Sequence, residues 1–87
     1  MKEAEFREKA IDMVIESYNE LLGVTADYPL TDDDVYIVWM CSILGNNKAL
    51  LSTNVIDGMY YEVTYNQNHD ELYIDCYKKL IHKEYEL

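Results

Sequence analysis

Three groups of side chains are of types that do chemistry: the acidic run Thr31-Asp32-Asp33-Asp34, the histidines His69 and His82, and the cysteines Cys41 and Cys76. Consecutive carboxylates are the raw material of a divalent-cation site. This run lacks the Gly and the closing Glu that give an EF-hand loop its ligand geometry, so it reads as a solvated loop that keeps an edge strand from pairing with neighbours. A catalytic histidine needs a partner that orients it and a nucleophile within reach; His69 and His82 lie thirteen residues apart with no such signature around either. The cysteines have no CxxC spacing and sit in Trp39-Met40-Cys41 and Ile74-Asp75-Cys76-Tyr77, which marks them as reduced core thiols and not as zinc ligands or a disulfide framework. Gly23, Gly45 and Gly58 are scattered, so no phosphate-cradling loop exists. The residues point to no catalytic, cofactor-binding or metal site.

What remains is contact chemistry. Glu5, Glu8, Asp12, Glu16 and Glu20 fall on one sector of a helix at about 100° per residue, opposite its apolar side. Like charges four apart cost a helix a few tenths of a kcal/mol each, and between Lys9 and Lys48 there are seven acids and no Lys or Arg. A solvated helix face explains the pattern blandly; an electronegative surface that docks a basic protein explains it functionally. Nine tyrosines are the second feature. Tyr61, Val63 and Tyr65 share one strand face, while Tyr60, Glu62 and Thr64 share the other, wetter one. Tyrosine on an open sheet face is a common contact residue, which adds Tyr60 and Glu62 to the five helix acids as candidate interaction residues.

The elements that position these residues follow from periodicity. Residues 2–23 predict a helix, with Phe6, Ala10, Met13, Val14, Ser17 and Leu21 at three- and four-residue steps and Gly23 as its stop. Residues 24–34, with the one proline, read as a loop. Val35 to Leu44 is β-branched and aromatic, and Gly45-Asn46-Asn47 supplies a reversal. Ala49 to Ile56 and Met59 to Asn66 then flank Asp57-Gly58, a strong hairpin signal. The last segment fits either period: Leu72, Ile74 and Cys76 alternate, whereas Leu72, Cys76 and Leu80 repeat helically. Asn68 as cap, Asp70 and Glu71 early, and Lys78, Lys79, His82 and Lys83 late favour a helix. The expected fold is α+β in the order α-β-β-β-α, a three-stranded antiparallel meander with helices packed on one face and the other face solvated or used for association.

Length and composition bound the rest. Eighty-seven residues suit one domain, residues 1–87, and an apolar content of 49% with four Gly and Pro describes a folded globule. A formal charge of -10 argues against bare nucleic acid or an anionic membrane as partner, since both reward a basic surface. Double-stranded RNA binding domains share the α-β-β-β-α order, but the basic helix start that they need is replaced here by Asn68-His69-Asp70-Glu71. The N-terminus has no signal-peptide pattern and the longest apolar stretch falls short of a membrane span, so the expected location is the cytoplasm.

The runs Val35-Tyr36-Ile37-Val38-Trp39, Lys48-Ala49-Leu50-Leu51-Ser52-Thr53, Asp57-Gly58-Met59-Tyr60-Tyr61-Glu62-Val63-Thr64-Tyr65-Asn66 and Tyr73-Ile74-Asp75-Cys76-Tyr77-Lys78-Lys79 carry a resemblance. Over about residues 33–80 the chain resembles a family of small uncharacterised proteins encoded by phages and prophages of low-GC Gram-positive bacteria. The most specific element is Asp57-Gly58-Met59-Tyr60-Tyr61-Glu62. The resemblance implies life inside an infected bacterium and brings no catalytic residue or cofactor. The expected function is a non-enzymatic interaction module that presents acid to a host or phage protein with a basic surface, one that handles nucleic acid. The alternative is a structural or assembly module that forms a homodimer through its sheet.

Overall fold

The computed structural model describes residues 1–22 and 30–87. Helix α1 spans Glu3–Leu22. Its contact stripe is an i, i+4 ladder: Phe6, Ala10 and Val14 have no exposed surface and Tyr18 is buried beside them, with Ile11, Met13 and Ile15 half-buried at the margins. Leu21, which continues the apolar period, is instead exposed near the helix end. The expected stop at Gly23 and residues 24–29 of the expected loop lie outside the described residues. Asp32–Asp34 forms a 3-10 turn in which the Thr31 N–H and hydroxyl donate to the Asp34 carboxylate at 2.9 and 3.2 Å. That turn delivers the chain to the sheet.

The sheet has four antiparallel strands in sequential order: β1 Val35–Ile43, β2 Asn46–Thr53, β3 Met59–Asn66 and β4 Glu71–Lys78. The α+β class is as expected, but the α-β-β-β-α order is not. Residues 71–78 form a fourth strand where a helix was expected, and among the described residues α1 is the one helix on the sheet. The physical reason is the open edge of β3. A turn at 67–70, closed by the Asp70 N–H on the Gln67 carbonyl at 3.2 Å and with Asp70 at φ 50, reverses the chain so that all eight residues of β3 find partners. Leu72 and Ile74 then face the core and Tyr73, Asp75 and Tyr77 the other side, which is the period-2 reading of the same residues. Asn68, expected as a cap, is part of that turn, its N–H held by Asn66 Oδ1.

The first two hairpins also differ in detail from their sequence signals. Ile43 pairs with Asn46, so the β1–β2 turn is Leu44-Gly45, both at positive φ (53 and 81), the geometry that matches strand twist. Leucine tolerates that region poorly, and a side chain on Gly45 would collide with Gln67. The β2–β3 connection runs from Asn54 to Gly58. Within it the Asp57 carboxylate accepts the Met59 N–H at 3.0 Å, and Gly58 takes φ 72.

A β-bulge between Ile37 and Trp39 changes which residues of β1 face inward. Val35 and Ile37 point to the core, but beyond the bulge Met40 pairs with core-facing Ala49 while Trp39 and Cys41 pair with Leu50 and Lys48 on the outer side. The bulge therefore puts Cys41 on the exposed face, and Cys76, inward on the edge strand β4, is exposed as well; the expectation of two core cysteines fails. The core is closed by Ala49, Leu51, Tyr61 and Val63, all at most 1% exposed, against the α1 ladder.

Burial, ahead of the Asp57 carboxylate, pushes the Tyr61 phenol up to about 12. Between pH ~10, where the unfolded phenol ionises, and pH ~12 only the folded chain keeps the proton, so stability falls as pH rises through that window, by at most about 1.4 kcal/mol per pH unit. Denaturant midpoints measured across it are expected to fall less steeply in Tyr61→Phe than in the parent; identical slopes would show that the phenol does not couple to folding. Leu44→Asn is expected to relieve about 1 kcal/mol of left-handed strain and to raise Tm by about 4–8 °C, read from a thermal melt; an unchanged Tm would mean that the turn holds leucine without strain.

Candidate functional site

The five acids of α1 lie where the helical wheel puts them. Glu5, Glu8, Asp12, Glu16 and Glu20 are all exposed on the polar side of α1, with one cation, Lys9, in their midst; Glu16 and Glu20 border a groove that Ile74 of β4 also lines. Among the described residues the ion pairs are Lys48–Glu62 at 3.5 Å and His82–Glu84 at 3.2 Å, so no stripe acid is neutralised by contact. Acid at the first turn suits the helix dipole, through Glu3 and Glu5, but no base closes the last turn and Glu20 sits near the end that disfavours it. The stripe is thus held by the packing of the opposite face, not by its own electrostatics.

The second surface is the outer face of the sheet. Register places Tyr60 opposite Tyr77, Glu62 opposite Asp75 and Thr64 opposite Tyr73 on β3 and β4, and Trp39 opposite Leu50 and Cys41 opposite Lys48 on β1 and β2. Tyr36, Trp39, Tyr73 and Tyr77 are each 40% to 51% exposed, and Tyr60, Glu62 and Thr64 are half-buried among them. The split of β3 into an inner set, Tyr61, Val63 and Tyr65, and an outer set, Tyr60, Glu62 and Thr64, is the one read from the sequence. Sequence reasoning missed Trp39, Tyr73 and Tyr77: the bulge that turns Trp39 outward has no residue signature, and a helix at 71–78 would have scattered the two tyrosines. Glu62 and Asp75 are carboxylates directly across the ladder, an unfavourable neighbourhood that Lys48 relieves on the Glu62 side only.

The polar side chains elsewhere are engaged locally. The Tyr65 hydroxyl donates to Asp70 at 2.7 Å and the Tyr73 hydroxyl to Glu71 at 2.6 Å, and in each case that bond is the main reason the phenol is pushed up. Burial pushes the Cys76 thiol up, against the opposing effect of a hydrogen bond with Ser17, which makes it a poor nucleophile. A depression of about 380 Å³ at the turn end of β2 and β3 is lined by Cys41, Asn46, Lys48, Thr64, Asn66 and Asn68 among others, with no His, Asp or Glu on its walls. His69 lies in the β3–β4 turn and His82 beyond the far end of β4, so the strand separates them. Asn47 Oδ1 is buried without a partner, on the helix side of the sheet, while its Nδ2 donates to Ser42 at 2.8 Å.

Among the described residues no helix is long and apolar enough to cross a membrane, a statement that says nothing of β-barrels. A search of the curated proteins finds no match, and neither does a search of the solved structures. A family profile, described as a family of unknown function (DUF6275), matches residues 7–87 and so takes in α1 from Arg7 on, all four strands and the segment after them. On that coverage the chain belongs to DUF6275, a family of unknown function.

Proposed function

We propose that this protein is a non-enzymatic interaction module whose acidic helix face docks a protein with a basic surface. The observation that carries this reading is the stripe Glu5, Glu8, Asp12, Glu16 and Glu20, exposed along four turns of one rigid helix and neutralised by no contact among the described residues. Such a row repels nucleic acid and attracts the surfaces that normally bind it. An origin in a phage or prophage, which the sequence resemblance implies, would put the protein in the cytoplasm of an infected bacterium. There a charge mimic would inhibit a DNA- or RNA-handling enzyme of the host.

A second reading, self-association of a structural or assembly module, is favoured by the outer sheet face, where Tyr36, Trp39, Tyr73 and Tyr77 remain uncovered. The two surfaces lie on opposite sides of the fold, so one does not preclude the other.

The first reading is tested by titrating binding to host nucleases and polymerases against ionic strength. Affinity is expected to fall steeply toward roughly 0.5 M salt, and Glu8→Lys with Asp12→Lys and Glu16→Lys to weaken it about tenfold or more, while circular dichroism stays unchanged. Binding indifferent to salt and to the triple reversal would rule out the electrostatic mechanism.

A further inference from the structure

The segment 79–87, Lys79-Leu80-Ile81-His82-Lys83-Glu84-Tyr85-Glu86-Leu87, continues from β4 with every residue exposed. Its first N–H still follows the ladder, donating to the Gly58 carbonyl at 2.8 Å. Beyond that point it leaves the body of the fold, and the radius of gyration, 14.2 Å, exceeds the ~12 Å expected of a compact chain of this length. The His82–Glu84 contact at 3.2 Å joins residues two apart, as on one side of an extended backbone. In that conformation Ile81, Lys83, Tyr85 and Leu87 share the opposite side. Ile81, Tyr85 and Leu87 are 68%, 79% and 123% exposed, so the segment, which pairs with no strand, carries an apolar side left largely uncovered.

The same chain holds a surface with matching needs. The outer sheet face offers uncovered aromatic rings and, between them, the Glu62–Asp75 carboxylate pair, of which Asp75 has no cation within contact among the described residues. The segment offers aliphatic and aromatic side chains two residues apart with Lys83 between Ile81 and Tyr85. Two of the seven basic residues of the chain, Lys79 and Lys83, fall in this segment; its acids Glu84 and Glu86 alternate with the apolar residues, so Lys83 is the one charge on the side that carries Ile81, Tyr85 and Leu87.

The segment does not reach its own face. Residues 79–87 contain no Gly, Pro, Asn or Asp to reverse the chain, and Asp75 lies back along the strand that the segment prolongs. Nine extended residues reach about 30 Å, more than the ~14–19 Å width of four strands, so a neighbouring sheet is within span. Covering the three apolar side chains and the four half-exposed rings would bury about 800 Å² per copy, roughly 1,600 Å² for a reciprocal pair, the size of a standard specific interface.

We propose that the outer sheet face is covered by residues 79–87 of a second copy of this chain, exchanged reciprocally in a two-fold dimer, with Lys83 placed at the Glu62–Asp75 pair. The proposal rests on the self-association reading and adds its occupant. Sedimentation equilibrium of the full chain at micromolar concentration tests it. The parent is expected to be a dimer, and Lys83→Glu or Tyr85→Asp to weaken dimerisation tenfold or more. Combining Lys83→Glu with Asp75→Lys is expected to restore it. All of these positions are exposed, and circular dichroism confirms that each variant folds. A parent dimer that Lys83→Glu and Tyr85→Asp leave intact would overturn the exchange while self-association stands. A dimer lost in Lys83→Glu and not regained in the double variant would overturn the Lys83 placement. A parent that is strictly monomeric would overturn exchange and self-association together.

Discussion

One helix cannot cover two faces of a sheet, and the rest of this molecule follows from that constraint. The ladder Phe6, Ala10, Val14 and Tyr18 seals Ala49, Leu51, Tyr61 and Val63 from water, and each large side chain so buried contributes about 1.5–3 kcal/mol. A helix is about 10–12 Å across and four strands span about 14–19 Å, so coverage thins toward the edge. Leu72 and Ile74 of β4 are accordingly half-buried, and Cys76 is exposed although it faces the same way. The reverse side of the sheet has no layer at all among the described residues.

That asymmetry divides the surface into two chemistries. Carboxylates collect on the solvent side of α1, where the cost of like charge is small and is absorbed by packing beneath them. Aromatic rings collect on the outer sheet face, where among the few charges Lys48 pairs with Glu62 and Asp75 has no cation in contact among the described residues. A chain of net charge -10 meets other copies of itself at an electrostatic disadvantage everywhere except where rings and lysines, not carboxylates, form the contact. The rings of the sheet face, and the side of the segment after β4 that carries Ile81, Lys83, Tyr85 and Leu87, come nearest to that condition.

Much of this was legible in the residues. The helix could be read because its 3.6-residue period runs for five turns, and the inner and outer sets of β3 because Tyr61, Val63 and Tyr65 alternate strictly with Tyr60, Glu62 and Thr64. The acidic stripe followed from helical spacing alone. Where reading failed, two periods or two effects competed. In Leu72 to Leu80 the strand and helix patterns coincide, and the order of charges, acid first and lysine last, tipped the choice toward a helix dipole that does not exist. The need of β3 for a partner on its free edge, a non-local effect, decided the outcome. The bulge at β1 is of the same kind: nothing in Ile37-Val38-Trp39 announces it, yet it moves Trp39 and Cys41 to the opposite face.

Trp39 is the one tryptophan of the chain and stands on the uncovered side, 43% exposed. Its emission therefore reports directly whether that side stays bare in solution. If the outer sheet face is an association surface, the emission maximum shifts to the blue and iodide quenching weakens as the protein is concentrated from nanomolar to tens of micromolar. An emission maximum and a quenching constant that hold constant over that range would contradict it.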